Sequence, residues 1–153
     1  MKKIFISYSK YDEDYKNEFV KHLITLKDEG LIDPFNCDEI ILGDISLEVI
    51  QNKLAECDYM VGLVSVDFLN TDYIRNFEVK KAIELGKRII PIIIKPCEWE
   101  KSDIGKYHAS LRGTTISLNK QSLLEGKIKK TNKVERAAYW LKIVQELRIK
   151  LLS

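Results

Sequence analysis

Short apolar runs alternate with amphipathic stretches along this chain. The first run, Ile4 to Ile6, begins almost at residue 1 and ends in hydroxyl side chains. Two later runs are apolar at nearly every position, which is typical of strands buried on both faces of a parallel sheet. The predicted strands are residues 4–6, a weak strand around 35–37 after an Asp33-Pro34 turn, residues 59–65, residues 88–95 and an edge strand at 114–118.

Apolar positions at spacings of three and four predict helices between these strands. In residues 12–27 the acids Asp12, Glu13 and Asp14 suit a helix N-terminus, and Gly30 ends the unit. The other predicted helices begin at the N-cap Ser46, near Thr71 or Asp72 (ending at Gly86), and at Asn132. Strands that alternate with helices in this way predict an α/β sandwich of three layers, with helices on both faces of a five-stranded parallel sheet.

The composition is that of a single globular domain. Apolar residues make up 45% and charged residues 31% of the 153 residues. A net charge of +2 does not indicate a nucleic-acid partner, and a basic cluster around residues 127–133 is interpreted as a solvated loop and helix start. No apolar run is long enough to cross a bilayer. The 3 cysteines form no C-x-x-C pair and lie far from either histidine, so we expect a cytoplasmic protein without a metal site.

The end of the first strand supplies the first candidate chemistry. Ser7, Tyr8 and Ser9 follow it, at the edge of the sheet where open α/β folds bind ligands. Serine also forms turns, so these residues are either turn formers or ligand contacts. The chain contains neither G-x-G-x-x-G nor G-x-x-x-x-G-K, which argues against a Rossmann dehydrogenase and a P-loop enzyme.

Several stretches, taken in order, resemble the TIR (Toll/interleukin receptor) domain family. Those stretches are residues 4–12 as its first box, Asp38 to Gly43 as its BB loop, residues 57–65 as its third strand, residues 65–78 as its αC region and residues 89–99 as its fourth strand and the segment after that strand. The resemblance covers essentially all 153 residues and implies one TIR domain over 1–153. It also implies a flavodoxin-like fold with a five-stranded parallel sheet.

The resemblance implies one of two activities: assembly as a signalling adaptor, or cleavage of NAD⁺ as in many bacterial members. Enzymatic members carry a glutamate in αC, and Glu78 matches it by position. The family commonly has Trp-Cys four and three residues earlier, where this chain has Ile74 and Arg75. Tyr73, five residues before the glutamate, is our choice for the aromatic partner, and Phe77 is the alternative.

The resemblance and the sheet edge together give a set of site residues. Glu78 is the expected catalytic residue, and the expected substrate-binding residues are Ser7, Tyr8, Asp38, Gly43, Ser65 and Tyr73. NAD⁺ is the expected substrate, with no separate cofactor. The expected partners are other TIR domains, through activating self-association, and a sensor domain or partner protein, but no nucleic acid or membrane. The expected role is that of an effector in bacterial antiphage or stress signalling.

The chemistry of NAD⁺ is compatible with a single carboxylate. Its nicotinamide is a cation that leaves as a neutral molecule, so no acid is needed to protonate it, whereas ordinary glycoside hydrolysis uses a carboxylate pair. Glu78 would stabilise the positive charge that develops on the ribose. Alternatively, Glu78 is a surface residue paired with Lys80 or Lys81, and Asp38 is a turn former.

Three other classes of protein are compared with this α/β pattern. A non-enzymatic TIR assembly module is the main alternative, and it is distinguished by whether Glu78 faces Ser7 and Tyr8 or solvent. A nucleoside deoxyribosyltransferase-like enzyme would need a second carboxylate near the first, and none is obvious. A response-regulator receiver is disfavoured because Ser7-Tyr8 stands where its acidic pair would follow the first strand.

Overall fold

A parallel β-sheet lies at the centre of the computed structural model, which describes residues 1–36, 47–110 and 133–152. The strand order is β2-β1-β3-β4, and every neighbouring pair is parallel. The elements are β1 (Lys2–Ser7), α1 (Glu13–His22), α2 (Ile24–Asp28), β2 (Ile32–Phe35), α3 (Leu47–Glu56), β3 (Tyr59–Val64), α4 (Val66–Asn70), a π-helical segment (Ile74–Val79), α5 (Lys80–Glu84), β4 (Arg88–Ile93), α6 (Asp103–Ser110) and α7 (Lys133–Leu152). Two 3₁₀ turns, Lys10–Asp12 and Trp99–Lys101, precede α1 and α6.

The sheet confirms the predicted α/β architecture, and within the three described ranges it has four strands rather than the predicted five. The predicted edge strand at 114–118 lies outside the described residues. The order of the four strands is that of the flavodoxin-like arrangement, in which the sequence order reverses between β1 and β3.

The second strand corrects the sequence prediction. We expected Asp33-Pro34 to form a turn and the strand to lie at 35–37, but both residues belong to β2, which ends at Phe35. Pro34 is tolerated there because β2 is an edge strand of the described sheet, where a residue without a backbone N–H can face away from its neighbour. The helix predicted at 12–27 is likewise divided into α1 and α2, which meet at Leu23.

Alternating side chains of each strand enter two separate hydrophobic clusters, one on each face of the sheet. The α1/α7 cluster includes Ile4, Ile6, Val61, Leu63, Ile90 and Ile92 from the strands, Phe19 from α1, and Trp140 and Val144 from α7. The α3/α5 cluster includes Phe5, Met60, Val64, Ile89 and Ile93 from the strands, with Leu54, Val79, Ala82 and Ile104 from the covering helices. Both faces are therefore covered, which explains why the strands read as continuous apolar runs.

Helix α7 closes the α1/α7 face. Trp140 is fully buried, and its ring centroid lies 5.3 Å from that of Phe19. The carboxylate of Glu18 accepts hydrogen bonds from Arg136 Nη2 at 2.8 Å and from Trp140 Nε1 at 3.1 Å. Within the three described ranges, the search for a helix both long and apolar enough to traverse a bilayer found none.

Two buried glycines allow close packing over the α3/α5 face. A Cβ atom added at Gly105 would lie 2.2 Å from the Trp99 carbonyl oxygen and 2.6 Å from the Glu100 Cα, both backbone atoms. A Cβ added at Gly62 would instead meet the ends of two side chains, Phe68 and Ile104, each at 3.2 Å. Backbone cannot move aside as side-chain tips can, so the two positions differ in what they tolerate.

We predict that Gly105→Ala lowers the free energy of unfolding by about 3 kcal/mol or more, while Gly62→Ala lowers it by about 1 kcal/mol. The first change forces α6 away from the turn before it, and the second requires only small side-chain shifts. Urea denaturation followed by circular dichroism measures both. Equal losses of stability in the two variants would contradict this packing.

Candidate functional site

The carboxyl ends of β1 and β3 meet at the point where the strand order reverses. In open α/β sheets this point leaves a crevice outside the strand ends, where ligands bind. Ser7, the last residue of β1, is paired with Gly62 of β3. Because strand side chains alternate, Ser7 lies on the same face of the sheet as Phe5, towards the α3/α5 cluster.

Ser7 holds the carboxyl group of Glu78 at this edge. The Ser7 hydroxyl donates a hydrogen bond of 2.7 Å to Glu78 Oε1, across a sequence separation of 71 residues. Glu78 is 3% exposed and Ser7 is 1% exposed, so the pair is removed from solvent. Glu78 therefore does not occupy the surface position, paired with Lys80 or Lys81, that the sequence left open.

Burial changes the acidity of this group. Loss of solvation raises the pKa of the Glu78 carboxyl group from 4.5 to about 7, and the hydrogen bond from Ser7 partly opposes that rise. The group is therefore divided between its neutral and ionised forms near neutral pH. A carboxyl group shifted into this range at a strand edge has the properties expected of a functional residue.

The backbone that carries Glu78 is unusual. Residues Ile74–Val79 form a π-helical segment, and the N–H of Lys80 bonds to the carbonyl of Arg75, five residues earlier. Ile74 and Val79 are buried in the α3/α5 cluster and anchor the segment on either side of the glutamate. Such π-helical turns are rare and occur frequently at functional sites.

The π-helical turn also bears on the choice of aromatic partner. In this geometry residues five apart, such as Tyr73 and Glu78, are separated by one turn, as residues four apart are in an α-helix. Tyr73 is half-buried against the α3/α5 cluster, whereas Phe77 is 40% exposed. Their ring centroids lie 5.4 Å apart, so Phe77 packs on the outside of Tyr73.

Tyr8 is directed away from this pair. It packs against the α1/α7 cluster, on the opposite face of the sheet, and the Lys16 ammonium lies 5.2 Å from its ring centroid. We expected Tyr8 to face Glu78 together with Ser7. The two-residue period of a strand sends successive side chains to opposite faces, and the structure accordingly separates them.

Ser65 lies in a second polar network at the same edge. It is the N-cap of α4, where its Oγ accepts a hydrogen bond from the Phe68 N–H at 3.0 Å, and it donates one of 2.5 Å to Asp12 Oδ2. The other oxygen of Asp12 pairs with Lys95 Nζ at 2.6 Å. The remaining two predicted site residues, Asp38 and Gly43, lie outside the described residues.

The role of Asp12 and Lys95 was not predicted from the sequence. Asp12 is fully buried, and its two contacts join the turn after β1 to the residues that follow β3 and β4. Lys95 is 31% exposed, so the ion pair is open to solvent on one side. A signal was available in the sequence, because a polar residue follows each of these three strands. The network fixes the three strand ends relative to one another.

Comparison with known proteins identifies the family. The family model for the TIR domain matches residues 4–123, which is more than half of the chain. The chain belongs to the TIR domain family. The match includes most of β1, all of β2, β3 and β4, and the segment that carries Glu78.

One curated protein and one solved structure are similar to this chain. An uncharacterized protein of Sinorhizobium fredii, y4lF, is 34% identical over 113 residues, which make up 71% of this chain and 35% of that protein. The chain thus spans about a third of the length of this curated relative. The crystal structure of the TIR domain of the Toll-related receptor TRR-2 from Hydra magnipapillata has a TM-score of 0.55 at 18% identity, over 97% of this chain and 99% of that one, and shows the shared fold.

We predict that Glu78→Gln stabilises the protein at alkaline pH. Folding raises the pKa of Glu78 from 4.5 to about 7, so the stability contributed by this group falls as pH rises through that window and stays low above it. The shift corresponds to about 3 kcal/mol. Glutamine keeps an oxygen that can accept the Ser7 hydrogen bond. We expect similar free energies of unfolding near pH 4.5 and a gain of about 2–3 kcal/mol for the variant at pH 8.

Urea denaturation at both pH values measures the effect. Glu84→Gln is the matched control, because Glu84 is exposed on the adjoining helix and its replacement should change stability by less than about 0.5 kcal/mol at either pH. The free energies of unfolding of Glu78→Gln and the parent should differ more at pH 8 than at pH 4.5. An equal difference at both pH values would contradict the raised pKa of Glu78.

Proposed function

We propose that this TIR domain is an NAD⁺ glycohydrolase that cleaves the bond between nicotinamide and ribose, with Glu78 as its catalytic residue. The products are nicotinamide and either ADP-ribose or its cyclised form. The observation that carries the proposal is the buried Glu78 carboxyl group. Ser7 holds this group at the edge of the sheet where α/β folds bind ligands, and burial raises its pKa to about 7. Membership of the TIR family supports it, since the glutamate stands in the family's αC region.

The reaction needs little more than a well-placed negative charge. The nicotinamide ring of NAD⁺ is cationic and departs as a neutral molecule when the C–N bond breaks, and the bonding electrons leave with it. Positive charge then develops on the ribose, and a carboxylate held nearby in a dry site stabilises that charge. Water completes hydrolysis, or the adenine ring completes cyclisation.

The raised pKa of Glu78 suits a cationic substrate. A positive ring brought next to the carboxyl group favours its ionised form and lowers its pKa. Substrate binding therefore generates the carboxylate that the reaction uses. Ser7 acts as a positioning residue: its hydroxyl directs the Glu78 carboxyl group and stabilises its ionised form.

The other expected residues take different parts in this proposal. Tyr73, one π-helical turn before Glu78, is the proposed aromatic partner, because it packs on the α3/α5 cluster while Phe77 is exposed. Ser65 is engaged by Asp12 and supports the strand ends rather than substrate. Asp38 and Gly43 remain proposed substrate contacts on the family resemblance alone, and Tyr8 no longer belongs to the proposed contact set because it packs on the opposite face.

We predict that Glu78→Gln reduces nicotinamide release from NAD⁺ by at least about a hundredfold, the scale of losing a principal electrostatic group. Concentrated protein is incubated with NAD⁺ and nicotinamide is measured by chromatography. Glu84→Gln, an exposed glutamate on the next helix, should retain the parental rate. A folded Glu78→Gln variant with parental activity would remove Glu78 from the mechanism. A parent that releases no nicotinamide would favour a non-enzymatic assembly module.

The pH dependence of the same assay separates an electrostatic role from a structural one. The ionised form of Glu78 is the active form, so kcat/KM should rise with pH through about 7 and level off above it. Ser7→Ala removes the hydrogen bond that lowers the pKa of Glu78, so its rise should lie at higher pH than that of the parent. Coincident profiles for Ser7→Ala and the parent would contradict the positioning role of Ser7.

We also propose that self-association activates the site, as part of an effector role in bacterial antiphage or stress signalling. Glu78 is 3% exposed, so substrate reaches it only after the structure covering it moves. Contacts with a neighbouring copy can favour the open form and raise the competent fraction. Specific activity should therefore increase with protein concentration or with a crowding agent. Constant activity per molecule from nanomolar to high micromolar protein would show that the monomer is already competent.

A further inference from the structure

A groove on the outer side of the Glu78-bearing helix has no role in the mechanism above. It lies between α6 and the π-helical segment with α5, and its volume is about 460 Å³. That volume falls in the range of about 300–1,000 Å³ that small-molecule sites occupy. Six of its lining residues matter here: Arg75, Lys80, Ile83, Asp103, Lys106 and Tyr107.

The groove is locally basic. Arg75, Lys80 and Lys106 are exposed and line it together with a single carboxylate, Asp103. Among the described residues none of the three cations forms an ion pair. A smaller cavity of about 160 Å³ shares Arg75 and Asp103 with the groove and adds Lys101. The net charge of the chain is only +2, so the positive charge of this groove is a local feature and does not follow from the overall composition.

The wall of the groove also offers a flat apolar surface. Tyr107 is half-buried against the α3/α5 cluster, and its hydroxyl donates a hydrogen bond of 2.7 Å to the Lys87 carbonyl oxygen. That bond fixes the ring, and Ile83 extends the apolar wall beside it. Aromatic rings held in this way stack on nucleobases of any identity.

We propose that this groove binds a nucleotide, with its phosphate groups on Arg75, Lys80 and Lys106 and its base against Tyr107. Arg75 supplies the planar donor fork that matches phosphate oxygens, and the two lysines add mobile positive charge. Asp103 is placed to accept hydrogen bonds from ribose hydroxyls, a contact that carboxylates make in dinucleotide sites. The ligand is a free nucleotide rather than an acidic protein, because the groove combines clustered charge with a base-sized apolar wall.

The proposed site is separate from that of Glu78. Arg75 and Lys80 flank Glu78 in sequence but are exposed on the outer side, while the Glu78 carboxyl group is buried against Ser7. A nucleotide in the groove would therefore contact the outer surface of the segment whose inner side carries the carboxyl group. The site stands whether or not the domain cleaves NAD⁺.

The test uses isothermal titration of the whole chain with ADP, pyrophosphate and adenosine, at low and at physiological salt. The triple variant Arg75→Gln/Lys80→Gln/Lys106→Gln should bind ADP at least tenfold more weakly than the parent. Its matched control is Lys21→Gln/Lys27→Gln/Lys142→Gln, which removes the same charge from exposed positions elsewhere and should leave the affinity within twofold. All six side chains are exposed, and thermal melting confirms that both variants fold.

Two further variants test whether the ligand occupies this groove or the Glu78 site. Glu78→Gln should leave ADP affinity unchanged, since the groove does not include that residue. Tyr107→Leu should weaken ADP but not pyrophosphate. The proposal is overturned if ADP fails to bind at millimolar concentration, if the triple variant and its control lose affinity equally, or if Glu78→Gln abolishes ADP binding. Pyrophosphate binding as tight as ADP binding would overturn the nucleotide assignment, because the base would then contribute nothing.

Discussion

A carboxyl group buried beside a neutral donor is the constraint on which the site depends. The described hydrogen bond to Glu78 comes from Ser7, and burial holds the pKa of Glu78 near 7. At neutral pH this arrangement destabilises the folded state, and the two hydrophobic clusters must offset the cost. A cation at the same position would instead hold the carboxyl group in its ionised form before any ligand arrives. The neutral partner leaves the carboxyl group responsive to a cation that arrives from outside.

The Asp12 network at the same edge differs from the Glu78 site, because its buried carboxylate is paired with a cation. Asp12 is as deeply buried as Glu78 but has a cation, Lys95, and a hydroxyl, Ser65, on its two oxygens. It joins the segments that follow β1, β3 and β4, so the strand ends beside Glu78 cannot separate without breaking a contact of the buried Asp12 carboxylate. The Asp12 network, whose charges are paired, therefore lies at the same sheet edge as Glu78, whose carboxyl group is buried and held by the Ser7 hydroxyl. This combination lets one group be reactive while the edge around it remains ordered.

The sequence predicted the layers of this fold better than its side-chain directions. Buried strands are indicated by continuous apolar runs, and the glutamate was placed at the correct edge by its position in the αC region. The prediction from the sequence did not anticipate that Tyr8 would face away from Ser7, although the two-residue period of a strand requires it. Nor did it locate β2 correctly, because Pro34 is acceptable only on an edge strand and the order of the strands is a tertiary property.

The π-helical segment could not be predicted from the sequence, for a different reason. The TIR resemblance implies an aromatic residue four residues before the glutamate, whereas Tyr73 lies five residues before Glu78. A π-helical turn holds one residue more than an α-helical turn, so Tyr73 and Glu78 lie one turn apart at this spacing. Ile74 and Val79 remain buried on either side, so packing is preserved while the backbone hydrogen bonding changes. Arg75 and Lys80 are exposed on the outer surface while Glu78 is buried, so a single turn of the chain carries both a buried acid and an exposed basic wall.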